Sequence, residues 1–120
     1  MYLTEVQTYI NDHQGGTFRL REDGRFDVAE HTDGYYVARS GAEVQVATAD
    51  LHYSALNAYV ADRSAVLAVP DNFFGVWLDG DTAYLDVSTH VVNRHMAEAL
   101  GRKNQQLAIW DVAEGRAYTL

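Results

Sequence analysis

The chain of 120 residues has no cysteine, one proline and one lysine, Lys103. Without cysteine there is no disulfide framework, no thiol nucleophile and no thiolate metal or iron–sulfur site. Cationic side chains are scarce: 9 Lys and Arg stand against 17 Asp and Glu, a formal net charge of −8. That balance argues against direct contact with DNA, RNA or anionic lipid, which all need a positive footprint. No apolar run approaches the roughly 18 residues of a membrane span. Met1-Tyr2-Leu3-Thr4-Glu5 carries neither the basic nor the apolar region of a secretory leader. The expectation is a cytoplasmic protein that touches no membrane. With 48% hydrophobic and 12% aromatic residues, the chain has the material for a packed core. Its length suits one domain over residues 1–120.

Hydrophobic periodicity places the elements. Val6, Tyr9, Ile10 and His13 form a helical stripe, with Thr4 and Gln7 at capping-box spacing and Gly15-Gly16 closing the helix. Short alternating runs follow at Thr17–Leu20, Arg25–Val28, Tyr35–Ala38 and Glu43–Val46, separated by Asp23-Gly24, Asp33-Gly34 and Ser40-Gly41. They predict a meander of antiparallel strands. A second helix, capped by Thr48 or Asp50, carries Leu56, Tyr59, Val60, Arg63 and Leu67 on one stripe and stops at Pro70. The clearest hairpin is Val76-Trp77-Leu78, Asp79-Gly80-Asp81, Ala83–Val87, with Val76 and Leu78 on one face and Trp77 on the other. Asn93 caps a short third helix with Met96, Ala97 and Leu100 inward and Gly101 at its end. Strands at Gln106–Val112 and Ala117–Leu120 finish the chain.

The predicted fold is therefore α+β: a mainly antiparallel sheet of short strands and hairpins with two to three packed helices. The predicted core is Val6, Ile10, Leu56, Val60, Leu67, Val76, Leu78, Leu85, Val87, Leu100, Leu107 and Ile109. Val6–His13 parallels Leu56–Arg63 fifty residues later, and each helix precedes a hairpin. Residues 1–48 and 49–120 thus read as a weak internal repeat of two helix-plus-hairpin halves, although amphipathic helices share that pattern by chance. Each half carries a net −4, so the acid belongs to a folded surface and not to a tail.

Chemistry-bearing motifs are sparse. There is no Gly-x-Ser-x-Gly elbow around Ser88-Thr89-His90, and Gly15-Gly16 precedes a strand rather than the helix a phosphate loop needs. No catalytic residue and no cofactor is expected. His90 and His95, five apart, do not share a helical face. With Asp86 they make a metal site only if the fold assembles one, which is the basis of an alternative reading as a small metal-dependent or acid–base enzyme. Asp79, Asp81 and Asp111 sit where turn geometry alone selects aspartate. Aromatics are more informative. Tyr35, Tyr36, Trp77, Tyr84 and Trp110 lie on or near strands, and Tyr and Trp left at a surface make rigid, amphipathic anchors. Together with Asp79, Asp81 and Asp111 they are the expected partner-binding set, if the tryptophans are not core.

Gly75–Gly80, Ala83–Ser88, Ala97–Arg102 and Gln106–Asp111 resemble short acidic proteins of phages, prophages and plasmids of high-GC Gram-positive bacteria. The likeness covers most of residues 70–120 and implies a mobile-element accessory role. Gly75-x-Trp77-x-Asp79 with Ala108-Ile109-x-Asp111 is also similar to plasmid antirestriction proteins, which imitate DNA. This chain departs from them by the extra strand at 82–87 and by being shorter and less acidic. The expected function is a non-enzymatic accessory protein that binds a host or phage protein with a basic surface, counter-defence being its most specific form. A virion structural component is the further alternative. A homo-oligomer is also compatible with sheet edges and exposed aromatics.

Overall fold

A computed structural model describes all residues, 1–120. Four α-helices, α1 (Leu3–His13), α2 (Tyr53–Asp62), α3 (Ser64–Leu67) and α4 (Arg94–Lys103), accompany eight strands. These are β1 (Gly15–Leu20), β2 (Phe26–Val28), β3 (Tyr35–Ala38), β4 (Val44–Ala47), β5 (Asn72–Asp79), β6 (Thr82–Val91), β7 (Ala108–Asp111) and β8 (Arg116–Thr119). All eight join one antiparallel sheet, so the fold is α+β. No helix is long and apolar enough to cross a membrane.

The sheet is ordered β2-β1-β5-β6-β3-β7-β8, with β4 also on β6. The meander predicted for the first half is corrected here. Only β1 and β2 pair as sequence neighbours; β3 and β4 both lie along one edge of β6, end to end. β6 is ten residues long: Thr82–Leu85 pairs with β4 and Ser88–Val91 with β3. Between those segments, after Arg39 has donated to the Val87 carbonyl, the chain from Ser40 to Glu43 leaves the edge, opposite Asp86. The β1–β2 and β5–β6 hairpins meet through antiparallel β1 and β5, so two helix-plus-hairpin units stand side by side.

Alternation decides which face each helix covers. Phe18, Phe74, Val76, Leu85 and Val87 point to one face and bury Val6 and Ile10 of α1 and Leu56 of α2. On the same face, Val37 and Ile109 bury Ala97 of α4 in a second, smaller cluster. Every long helix thus lies on one side, and the other side of the sheet carries none.

Several local readings change. Glu5, not Gln7, makes the first cap: its carboxylate accepts the Tyr2 N–H at 2.9 Å, while the Gln7 amide reaches the Leu51 carbonyl. Thr48–Asp50 is a separate 3-10 turn, and the second predicted helix divides at Arg63 into α2 and α3. Asn93 caps α4 as expected, accepting the Met96 N–H at 3.0 Å. Met96 itself is exposed, because the stripe facing the sheet runs through Ala97 and Gly101, about 100° round the helix. Gly101 does not end the helix. It is buried within it, and a Cβ there would lie 2.7 Å from Leu120 Cδ1. Leu107, assigned to the core, is 87% exposed: β7 begins one residue later, so strand alternation does not reach it. Val60 and Leu100 are only partly buried.

Candidate functional site

The helix-free face holds a groove of about 540 Å³. Its shape follows from side-chain size. Registers Gly15↔Trp77, Thr17↔Gly75 and Gly75↔Asp86 put small residues on neighbouring strands at the middle of this face. Ser88, Ala38 and Ala108 continue the low floor. Large rings rise around it: Trp77 pairs with Tyr84 across β5–β6, and Trp110 with Tyr36 across β3–β7. The Trp77 and Trp110 rings lie with centroids 6.4 Å apart and planes tilted by 44°. Both keep water-accessible surface, 57% and 40%, which settles their place as surface residues.

Asp86 sits in that floor above Gly75. A Cβ on Gly75 would collide with Asp86 Oδ1, so the glycine is what makes room for the carboxylate. Asp86 takes part in none of the four ion pairs of the chain. No side-chain polar atom is both sealed and unpartnered, so the oxygens of Asp86 are not fully sealed, and the residue lines the groove. Asp86 also lines a smaller cavity of about 410 Å³ with Arg39, Glu43 and Asn104, beside the segment that leaves the β6 edge. Burial, with a lesser contribution from the negative charge of Glu43, pushes the Asp86 carboxyl up to about 6. The groove contains no lysine or arginine; His13, at the end of α1, also lines it.

Beyond Ser88 the same face ends in an aromatic cluster. His31 and His90 stack at 3.6 Å, and Tyr36 and Phe73 pack edge-on around His31. His31 Nδ1 shares a 2.7 Å hydrogen bond with the Tyr36 hydroxyl, and His90 Nε2 donates to the Asp33 carbonyl at 2.8 Å. Burial first, then the neighbouring His90, holds His31 below the usual imidazole range. Burial raises the Tyr36 hydroxyl to about 12.

Of the expected partner-binding residues, Tyr36, Trp77, Tyr84 and Trp110 come together on the groove. Asp79 is at the hairpin end of the same face, two residues from Trp77, and Asp81 is exposed in the tip. Tyr35 and Asp111 do not belong with them. They pair directly across β3–β7 but point to the opposite face. There Tyr35 packs edge-on to Tyr118, and Asp111 Oδ1 accepts the Glu114 N–H of the next turn. The three residues of the alternative metal reading are not assembled. Asp86 faces the groove, His90 is stacked on His31, and His95 is exposed in the first turn of α4. No group of three or more His, Asp or Glu side chains stands where it could hold a metal ion.

Sequence reasoning missed Asp86 as a groove residue, together with the small residues that form its floor. The available signal was small-next-to-large alternation on one face, Gly75-x-Trp77 and Ala108-x-Trp110. No protein-family profile, curated protein or solved structure matches the chain.

Proposed function

We propose that the chain is a non-enzymatic accessory protein of a phage or other mobile element, and that it binds a basic protein with the open face of its sheet. One observation carries this reading. A groove walled by exposed Trp77 and Trp110 and half-buried Tyr84 has an unpaired carboxylate in its floor, on a chain of net charge −8. Partly exposed tryptophan and tyrosine beside a concave surface have the chemistry of interface anchors. The resemblance of residues 70–120 to short mobile-element proteins supplies the setting. Counter-defence, by occupying a host surface that otherwise meets phosphates, is its most specific form. Affinity capture from a bacterial extract, eluted with salt and identified by mass spectrometry, is expected to yield a saturably bound basic protein. Trp77→Ser/Trp110→Ser should lose it. No saturable protein, or one that the double variant retains equally, overturns the reading.

A second reading rests on the elevated carboxyl of Asp86 in a cavity of ligand size. Such a group can act as a general acid or base. A compound that the protein releases chemically altered, with the change abolished in Asp86→Asn, would favour catalysis over binding.

A further inference from the structure

We propose that the groove receives an arginine side chain of the partner, its guanidinium paired with Asp86 and stacked between the aromatic walls. The inference deepens the proposed binding function and rests on it. Four observations converge. The groove carries a carboxylate with no cation of its own. Gly75 leaves the volume that carboxylate needs, so the fold presents it instead of covering it. Rings flank the floor: Tyr84 pairs with Trp77 on one side, and Trp110 with Tyr36 on the other. The cavity, about 540 Å³, is large enough for a long side chain and part of its backbone.

These features select guanidinium among cations. It is planar, so it stacks on aromatic rings, and its fork of donors matches a carboxylate in two parallel hydrogen bonds. It is also more weakly hydrated than ammonium and is less costly to bring into a partly dry groove. A protein source fits better than a free small cation. Trp77 and Trp110 leave large apolar surfaces beside the cavity, which a small molecule within it would not cover and a macromolecular surface would. The charge of −8 attracts a basic partner in the same sense.

The chain has two tryptophans, and both lie on the groove, so indole signals report its occupancy without a label. The probe is acetyl-Gly-Arg-Gly-amide, titrated into the intact protein while the two indole N–H resonances are followed by NMR. Saturable shifts of both resonances are expected. The citrulline peptide, which keeps the shape and loses the charge, should bind at least tenfold more weakly, and so should the arginine peptide to Asp86→Asn. Gly75→Ala, which drives a methyl group into the carboxylate, gives an independent second variant with the same expected loss. Equal binding of arginine and citrulline peptides, or arginine binding unaffected by both variants, overturns the proposal. Capture of the basic protein separates this from the broader reading. Capture that Asp86→Asn retains, while Trp77→Ser/Trp110→Ser abolishes it, overturns arginine insertion and leaves the binding face standing. Loss of capture in both variants supports it.

Discussion

Asp86 is a residue at which burial works against the ionised side chain. An aspartate held near 6 in the folded chain, against an ordinary 3.8, gives up its proton less readily than in the unfolded chain. Between those values the folded state binds the extra proton, so this group makes stability fall as pH rises through about 4 to 6. Above that window the full cost is present, about 3 kcal/mol for a difference of about two pH units. Below it both states are protonated and the cost vanishes. Asp86→Asn is therefore expected to be more stable than the parent at pH 8 by up to about 3 kcal/mol, with the gain disappearing near pH 3.5. Urea unfolding at the two pH values measures it; a variant no more stable at pH 8 would show that the ionised carboxylate is not strained. Burial first and then Glu43 set this window; Arg39 in the smaller cavity, His13 in the groove and Tyr59 of α2, close enough to feel its charge, are the other ionisable groups around it. A strained carboxylate in a surface groove is what the proposed arginine pairing would require, since stability alone would favour its loss. None of this is legible in Leu85-Asp86-Val87, where alternation says only that Asp86 faces away from the core. Its environment is made by Gly75 across the strand pair and by a break in the β6 edge, both contacts between distant parts of the chain.

At the scale of elements, the sequence shows which segments are helices and strands far better than which strands meet. Val6, Ile10, Leu56 and the Val76/Leu78 alternation identify their elements because helical and strand periods are local properties. The pairing of β3 and β4 with β6 is not local. Tyr35–Ala38 and Val44–Ala47 alternate like neighbours in a meander, yet their partners on β6 lie 35 to 56 residues on, and alternation carries no address. The same limit hid the role of Arg19. From β1 its guanidinium donates to the carbonyls of Leu67, Ala68, Val69 and Asn72. It thereby satisfies carbonyls at the open end of α3 and in the turn that leads into β5. Asn72, 3% exposed, completes the joint by donating to the Val66 carbonyl and accepting from Thr89. Hydrogen bonds to a charged donor are the stronger kind, and a partly buried set of four is costly to lose. Arg19→Met is expected to destabilise the chain by about 2–3 kcal/mol, and Arg19→Lys, a point charge without the fork, to recover less than half of that. Equilibrium unfolding of both variants measures it. A lysine variant of parental stability would show that charge alone, and not the planar fork, holds the joint.

Across the whole molecule the asymmetry is simple: helices cover one face of the sheet, and the other is left open except at the end where His31 packs on His90 and Phe73. That arrangement separates two contributions to binding that are mixed in most interfaces. Net charge acts at long range and steers the encounter, whereas the aromatic walls act only on contact. The charge is spread over both halves of the chain, and its counterions screen it over about 30 Å at 10 mM salt but only about 10 Å at 100 mM. The association rate with a basic partner should therefore fall by at least about tenfold as salt rises from about 10 to 500 mM. Trp77→Ser leaves every charge in place, so it should change that rate little and shorten the lifetime of the complex instead. Stopped-flow mixing, followed by the remaining tryptophan, separates the two rates. If the association rate ignores salt, the acidic surface is only a means of staying dispersed in water. If Trp77→Ser slows association and leaves dissociation unchanged, the groove is not where the partner is held.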